Sequence, residues 1–129
     1  MKIIHFSQFS APFKGGFISA LEAINNKDIE RVFCFPLSCK YNEWMNKFIS
    51  CHTVYFLNDD VNESIKDILE IIILEEPNIV HSHFDGYDIP LVKAVKRFRL
   101  KSKKKIDIIW HKHNFYFYHP NPIKKIYQF

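Results

Sequence analysis

Residues 61–83 read Val61-Asn62-Glu63-Ser64-Ile65-Lys66-Asp67-Ile68-Leu69-Glu70-Ile71-Ile72-Ile73-Leu74-Glu75-Glu76-Pro77-Asn78-Ile79-Val80-His81-Ser82-His83. Val61, Ile65, Ile68, Leu69 and Ile72 recur at the spacing of one helical face, which predicts a helix running to about Glu76. Pro77 cannot continue it. Asn78 to His83 is then a short apolar run ending in polar residues, the signature of a strand buried on both faces. A helix feeding directly into a buried strand is half of a βαβ unit, and the same alternation extends in both directions.

Upstream, Lys2 to Ser7, Glu30 to Pro36 and Thr53 to Leu57 are three more such runs. The first is followed by Ser10-Ala11-Pro12, then Lys14-Gly15-Gly16, then a helical pattern in Phe17, Ile18, Ala20, Leu21 and Ile24. Tyr41 to Phe48 reads as a short helix between the second and third strands. Downstream, Asp88 as N-cap and Pro90 in the first turn open a helix with Leu91, Ala94, Val95 and Phe98 inward, and Ile106 to His111 is the fifth strand. From Asn114 the chain is aromatic (Phe115-Tyr116-Phe117-Tyr118) and then reads as the start of a helix over Pro122 to Tyr127. The expected fold is α/β: a Rossmann-like three-layer sandwich on a parallel five-stranded sheet with right-handed crossovers.

Composition agrees with one globular domain: 129 residues, 47% of them apolar and 25% charged. Such a chain builds a core without staples. The three cysteines, Cys34, Cys39 and Cys51, lack a C-x-x-C spacing and are expected as free thiols in a reducing, cytoplasmic setting. The apolar run Ile71 to Leu74 falls far short of a membrane span. The net charge of +4 does not call for nucleic acid, but eight basic residues and no acid lie between Lys93 and Lys105. They read either as a solvated helix face with a basic turn or as a contact with anionic lipid, which attracts such segments.

Ligands of open parallel sheets bind beyond the carboxyl ends of the strands. Three features fall there. Lys14-Gly15-Gly16 opens the first helix, where backbone N–H groups attract anions, though the pattern is neither G-x-G-x-x-G nor a P-loop. His81-Ser82-His83 and His111-Lys112-His113-Asn114 each put two imidazoles on one face of a strand end. These four histidines read as structural imidazoles or, since His-x-His pairs suit transition metals, as a metal cluster to which Asp85 alone adds a carboxylate. Neither a Gly-x-Ser-x-Gly elbow nor a cysteine pattern supports a nucleophilic site.

The order of these features resembles the N-terminal domain of family 4 glycosyltransferases: the strand Met1 to Ser7, the loop ending in Gly15-Gly16 at a helix start, the phrase Pro77-Asn78-Ile79-Val80-His81-Ser82-His83, and a strand ending in His113-Asn114. Asn78 and Asn114 stand where that family has aspartates. The resemblance covers Met1 to about His113. It implies a GT-B enzyme that transfers a sugar with retention from a nucleotide-sugar co-substrate to a glycan or lipid-linked acceptor, with neither metal nor cofactor. Lys14, Gly15 and Gly16 would then lie against the donor phosphates or the acceptor, His83 and Asn114 would line the cleft, and His113 would be the catalytic contact to the donor sugar. Residues 1–129 would be an incomplete acceptor-side domain. The domain carrying the nucleotide site would be missing or supplied by a complementing subunit, and the chain alone would be inactive, whether a fragment, a truncated product or half of a split enzyme. A peripheral place at the inner membrane face would follow from a lipid-linked acceptor. Two other classes remain open on the residues themselves: a nonenzymatic Rossmann-like binding module, and a His-rich metallohydrolase.

Overall fold

The structure, a computed structural model, describes residues 1–24 and 26–112. Five parallel strands, β1 (Lys2–Ser7), β2 (Glu30–Pro36), β3 (Thr53–Leu57), β4 (Ile79–His83) and β5 (Asp107–His111), form one sheet in the order β3-β2-β1-β4-β5. The chain moves outward from β1 to β3 and then crosses back to place β4 on the other side of β1. The strand order therefore reverses between β1 and β4, whose registers pair Ile3 with Ile79 and Ser7 with His83.

Alternation along the strands separates two cores. Ile4 and Phe6 of β1, Val32 and Cys34 of β2 and Val80 of β4 face helices α3 (Ile65–Glu75) and α4 (Asp88–Arg99), which bring Ile68, Ile72, Leu91 and Val95. Phe33 and Phe35 of β2 face helices α1 (Gly15–Ala23) and α2 (Glu43–Cys51), which bring Ile18, Leu21, Met45 and Phe48. Each such fully buried apolar side chain contributes about 1.5–3 kcal/mol. The fold is thus a Rossmann-like three-layer α/β sandwich, and among the described residues no helix is long and apolar enough to cross a membrane.

Helix boundaries differ from the sequence expectation for local reasons. The helix expected from Val61 opens as a 3-10 turn over Val61–Ser64, fixed by the Asp60 carboxylate accepting from Asn62 N–H at 3.1 Å. It ends at Glu76, whose left-handed φ of 48° stops α3 before Pro77 is reached. The helix expected over Tyr41 to Phe48 divides at Asn42, which is extended and donates from Nδ2 to the carbonyls of Ser10 and Ala11, so a 3-10 turn over Leu37–Tyr41 precedes α2. Asp88 is not the N-cap of α4. Tyr87 takes that position, and the Asp88 carboxylate instead accepts from Ser82 Oγ at 2.6 Å and pairs with Lys112.

Candidate functional site at the strand-order reversal

The carboxyl ends of β1 and β4 carry loops of opposite character. Beyond β1 the chain reaches α1 through Phe9 and Lys14, and α1 starts at Gly15, whose φ of +61° suits glycine and disfavours other residues. A Cβ at either Gly15 or Gly16 would meet open space, so this helix start is accessible to a ligand. Lys14 does not point freely at it, because its ammonium pairs with Glu22. Beyond β4, Phe84 adopts φ +67°, an unusual conformation for a bulky residue, and its N–H donates to the carbonyl of His111 at 3.1 Å. Gly86 brings the β4–α4 loop against Gln8, whose side chain lies 1.7 Å from where a Cβ would stand.

Phe9, Phe17 and Phe84 converge between these loops. Phe17 meets Phe84 edge-on at 4.9 Å between centroids, Phe9 lies 5.3 Å from Phe17, and Phe17 lies 5.3 Å from the His83 ring. All three phenylalanines are half-buried, and Phe9 and Phe17 pack on the core beneath α1 and α2 while keeping part of their surface open, so the three rings make a partly exposed aromatic wall. Trp44 backs Phe9 at 5.9 Å and donates from Nε1 to the Ala11 carbonyl. Of the residues expected here, Gly15, Gly16 and His83 are brought to one end of the sheet. His113 and Asn114, like the aromatic run from Phe115 and the helix expected over Pro122 to Tyr127, lie outside the described residues.

Sequence reading grouped His81, His83, His111 and His113. The structure instead joins His5 of β1 to His81 and His83 of β4, their ligating nitrogens all within 4.8 Å of one another. His111 flanks them, with ring centroids 5.5 Å from both His81 and His83. Asp85 is exposed and takes no part in that group. His5 Nδ1 lies 2.9 Å from His83 Nε2, and Arg31 of β2 reaches His5 Nε2 at 2.7 Å. Burial, followed by the neighbouring His81 and Arg31, pushes the His5 pKa down to about 3, so the ring is neutral at ordinary pH. His5 escaped the sequence reading because it stood alone in an apolar run. Its one signal was position: in Ile4-His5-Phe6 it is the residue that alternation turns to the opposite face.

The basic stretch lies elsewhere. Lys93, Lys96, Arg97 and Arg99 belong to α4, and Lys101 to Lys105 follow it on the way into β5, toward the amino ends of the strands. There a groove of about 500 Å³ between α3 and α4 is lined by Leu69, Ile73, Phe98 and Leu100 together with Glu76, Arg97, Lys101 and Ser102. Comparison with protein-family models, with curated proteins and with solved structures finds no match to this chain, so the fold class rests on the sheet itself and the site on its own geometry.

Proposed function

We propose that this chain is the acceptor-side domain of a retaining GT-B glycosyltransferase that moves a sugar from a nucleotide-sugar donor to a glycan or lipid-linked acceptor. One observation carries the reading: the open glycine start of α1, the Phe9, Phe17 and Phe84 wall and the His83 strand end collect where the strand order reverses. Aromatic faces suit the apolar faces of sugar rings, and the backbone N–H groups at Gly15 and Gly16 suit an anion or a sugar hydroxyl. A departing nucleoside diphosphate gathers charge in the transition state, and fixed N–H donors lower its energy there. A second domain supplies the nucleotide site in this reading, so the chain alone turns over nothing. Lys14 joins the phosphate contact only by leaving Glu22. His113 is the residue assigned to the donor sugar, with Asn114 beside it.

Amide chemical shifts test the reading. Soluble oligosaccharides of varied composition, added to the protein with and without UDP-glucose or GDP-mannose, should shift Gly15, Gly16, Phe17 and Phe84 before other residues. Spectra that no oligosaccharide perturbs at these positions would overturn it.

The groove between α3 and α4 favours a peripheral contact with anionic lipid as part of the same function. Leu100 is 85% exposed and Ile73 54% exposed, and both line the groove with Arg97 and Lys101, two cations against the single carboxylate of Glu76. An apolar pair among cations matches acyl chains beneath anionic headgroups and has no comparable complement in nucleic acid.

A further inference from the structure

We propose that His5, His81 and His83 form a binding site for a divalent transition-metal ion of the zinc class, and that Arg31 holds the site shut when the metal is absent. The site goes beyond the transfer reading, which calls for no metal.

Three imidazoles from two neighbouring strands already have their ligating nitrogens within 4.8 Å of one another. A tetrahedral zinc site with bonds near 2.0–2.1 Å separates its ligand atoms by about 3.3 Å, so modest side-chain shifts complete the contraction. The His5–His83 pair, at 2.9 Å, needs a slight opening instead. Strands β1 and β4 hold both residues in fixed register, with His5 opposite His81 and Ser7 opposite His83. Ser7 Oγ, on the same face, is buried with no hydrogen-bond partner among the described residues, which leaves a polar atom available beside the cluster. Three imidazole nitrogens are the protein donor set of an open zinc site. The exposed His111, next to His83 across the β4–β5 ladder, is the candidate fourth ligand.

The metal-free state follows from hydrogen-bond inventory. A guanidinium only donates, so Arg31 makes His5 Nε2 an acceptor. The His5 proton must then sit on Nδ1 and be donated to His83 Nε2. Metal binding at His5 Nδ1 requires that proton to move to Nε2, where it faces the Arg31 donor. Arg31 must therefore swing out. Its Nε is buried without a hydrogen-bond partner among the described residues, so it is not held by a second contact through that atom. The guanidinium at His5 Nε2 and a metal ion at His5 Nδ1 thus exclude each other through the tautomer of one ring.

Purified protein, stripped with chelator, should take up one equivalent of zinc by isothermal titration and elemental analysis, and cobalt(II) should show the intense visible absorption of a tetrahedral site. Arg31→Gln should tighten zinc binding by about tenfold or more, since it removes both the competing donor and a positive charge. His81→Gln and His83→Gln should abolish the cobalt spectrum with an unchanged circular dichroism spectrum, whereas His52→Gln should leave it intact. Failure of both the wild type and Arg31→Gln to bind zinc stoichiometrically would overturn the proposal, as would cobalt absorption that survives His83→Gln in folded protein. Either result leaves glycan binding at the Phe17–Phe84 wall untouched.

Discussion

Ser82 Oγ donates to the Asp88 carboxylate across 2.6 Å, and this buried bond ties the carboxyl end of β4 to the first residue of α4. The other carboxylate oxygen pairs with Lys112, directly after β5, so one side chain clamps three elements. Asp88→Ala leaves the Ser82 hydroxyl and a largely buried ammonium without their partner and should destabilise the domain by about 1.5–3 kcal/mol. Asp88→Asn keeps an acceptor for Ser82 and should lose less. Urea unfolding of both variants measures the difference, and equal losses would mean that the Ser82 bond contributes nothing beyond the Lys112 pair.

At the opposite end of the sheet, Glu75 governs acid stability. Its carboxylate accepts from Tyr55 at 2.5 Å and from Lys2 at 3.0 Å, and these contacts hold its pKa below the ordinary 4.5. A group depressed in the folded state stabilises fully above its unfolded pKa, and that contribution disappears as pH falls through the folded value. Glu75→Gln should therefore cost stability at neutral pH and flatten the decline below about pH 4.5. Tyr55 has the reverse sign: its pKa is raised to about 12, chiefly by the bond to Glu75, so its contribution persists to about pH 10 and is lost toward pH 12. Denaturation midpoints across pH for the wild type and Glu75→Gln check both limbs.

Gly15 and Gly16 separate conformation from contact. Space is open at both, but only Gly15 has positive φ. Gly15→Ala should destabilise by about 1 kcal/mol, and Gly16→Ala, in the first turn of α1, should be neutral or stabilising by up to about 1 kcal/mol. If the helix start holds a ligand, Gly16→Ala should weaken oligosaccharide binding in a protein at least as stable as the wild type. Unaltered binding would remove Gly16 from the site.

Vesicle co-sedimentation should show binding to phosphatidylglycerol-containing membranes that falls with added salt and is absent with phosphatidylcholine alone. Leu100→Ser and Arg97→Gln with Lys101→Gln should each reduce it. Binding that ignores lipid charge would leave the groove without this role.

The strands were legible because each is a dense apolar run closed by a polar residue, a Pro or a turn. Lys2–Ser7, Glu30–Pro36 and Thr53–Leu57 appear at the expected limits, and the last two strands start one residue late. The parallel sheet and its Rossmann-like winding followed from the alternation of strands and helices, while the strand order came from the structure. Helix ends were less legible because side chains distant in sequence set them: Asn42 leaves the helix to bind Ser10 and Ala11, and Asp88 forgoes capping for Ser82 and Lys112. The His5 contact was hidden for the same reason. Nothing within a dozen residues of His5 announces that β4 will lie against it in a register that places His81 alongside.

The central position of β1 also sets an order of assembly. Its first partner, β2, begins at Glu30, and that half of the sheet gathers from nearby chain. Its second partner lies much further off: the Lys2 N–H bonds Asn78 Oδ1 across 76 residues. Until β4 is made and docked, one whole edge of β1 stays open, and His5 and Ser7 lack the neighbours His81 and His83 that β4 brings alongside them. Pairings of such long sequence separation are slow to form. A chain halted before residue 79 would hold three strands and a bare edge, so the domain acquires its polar centre and closes its most vulnerable seam in a single late event.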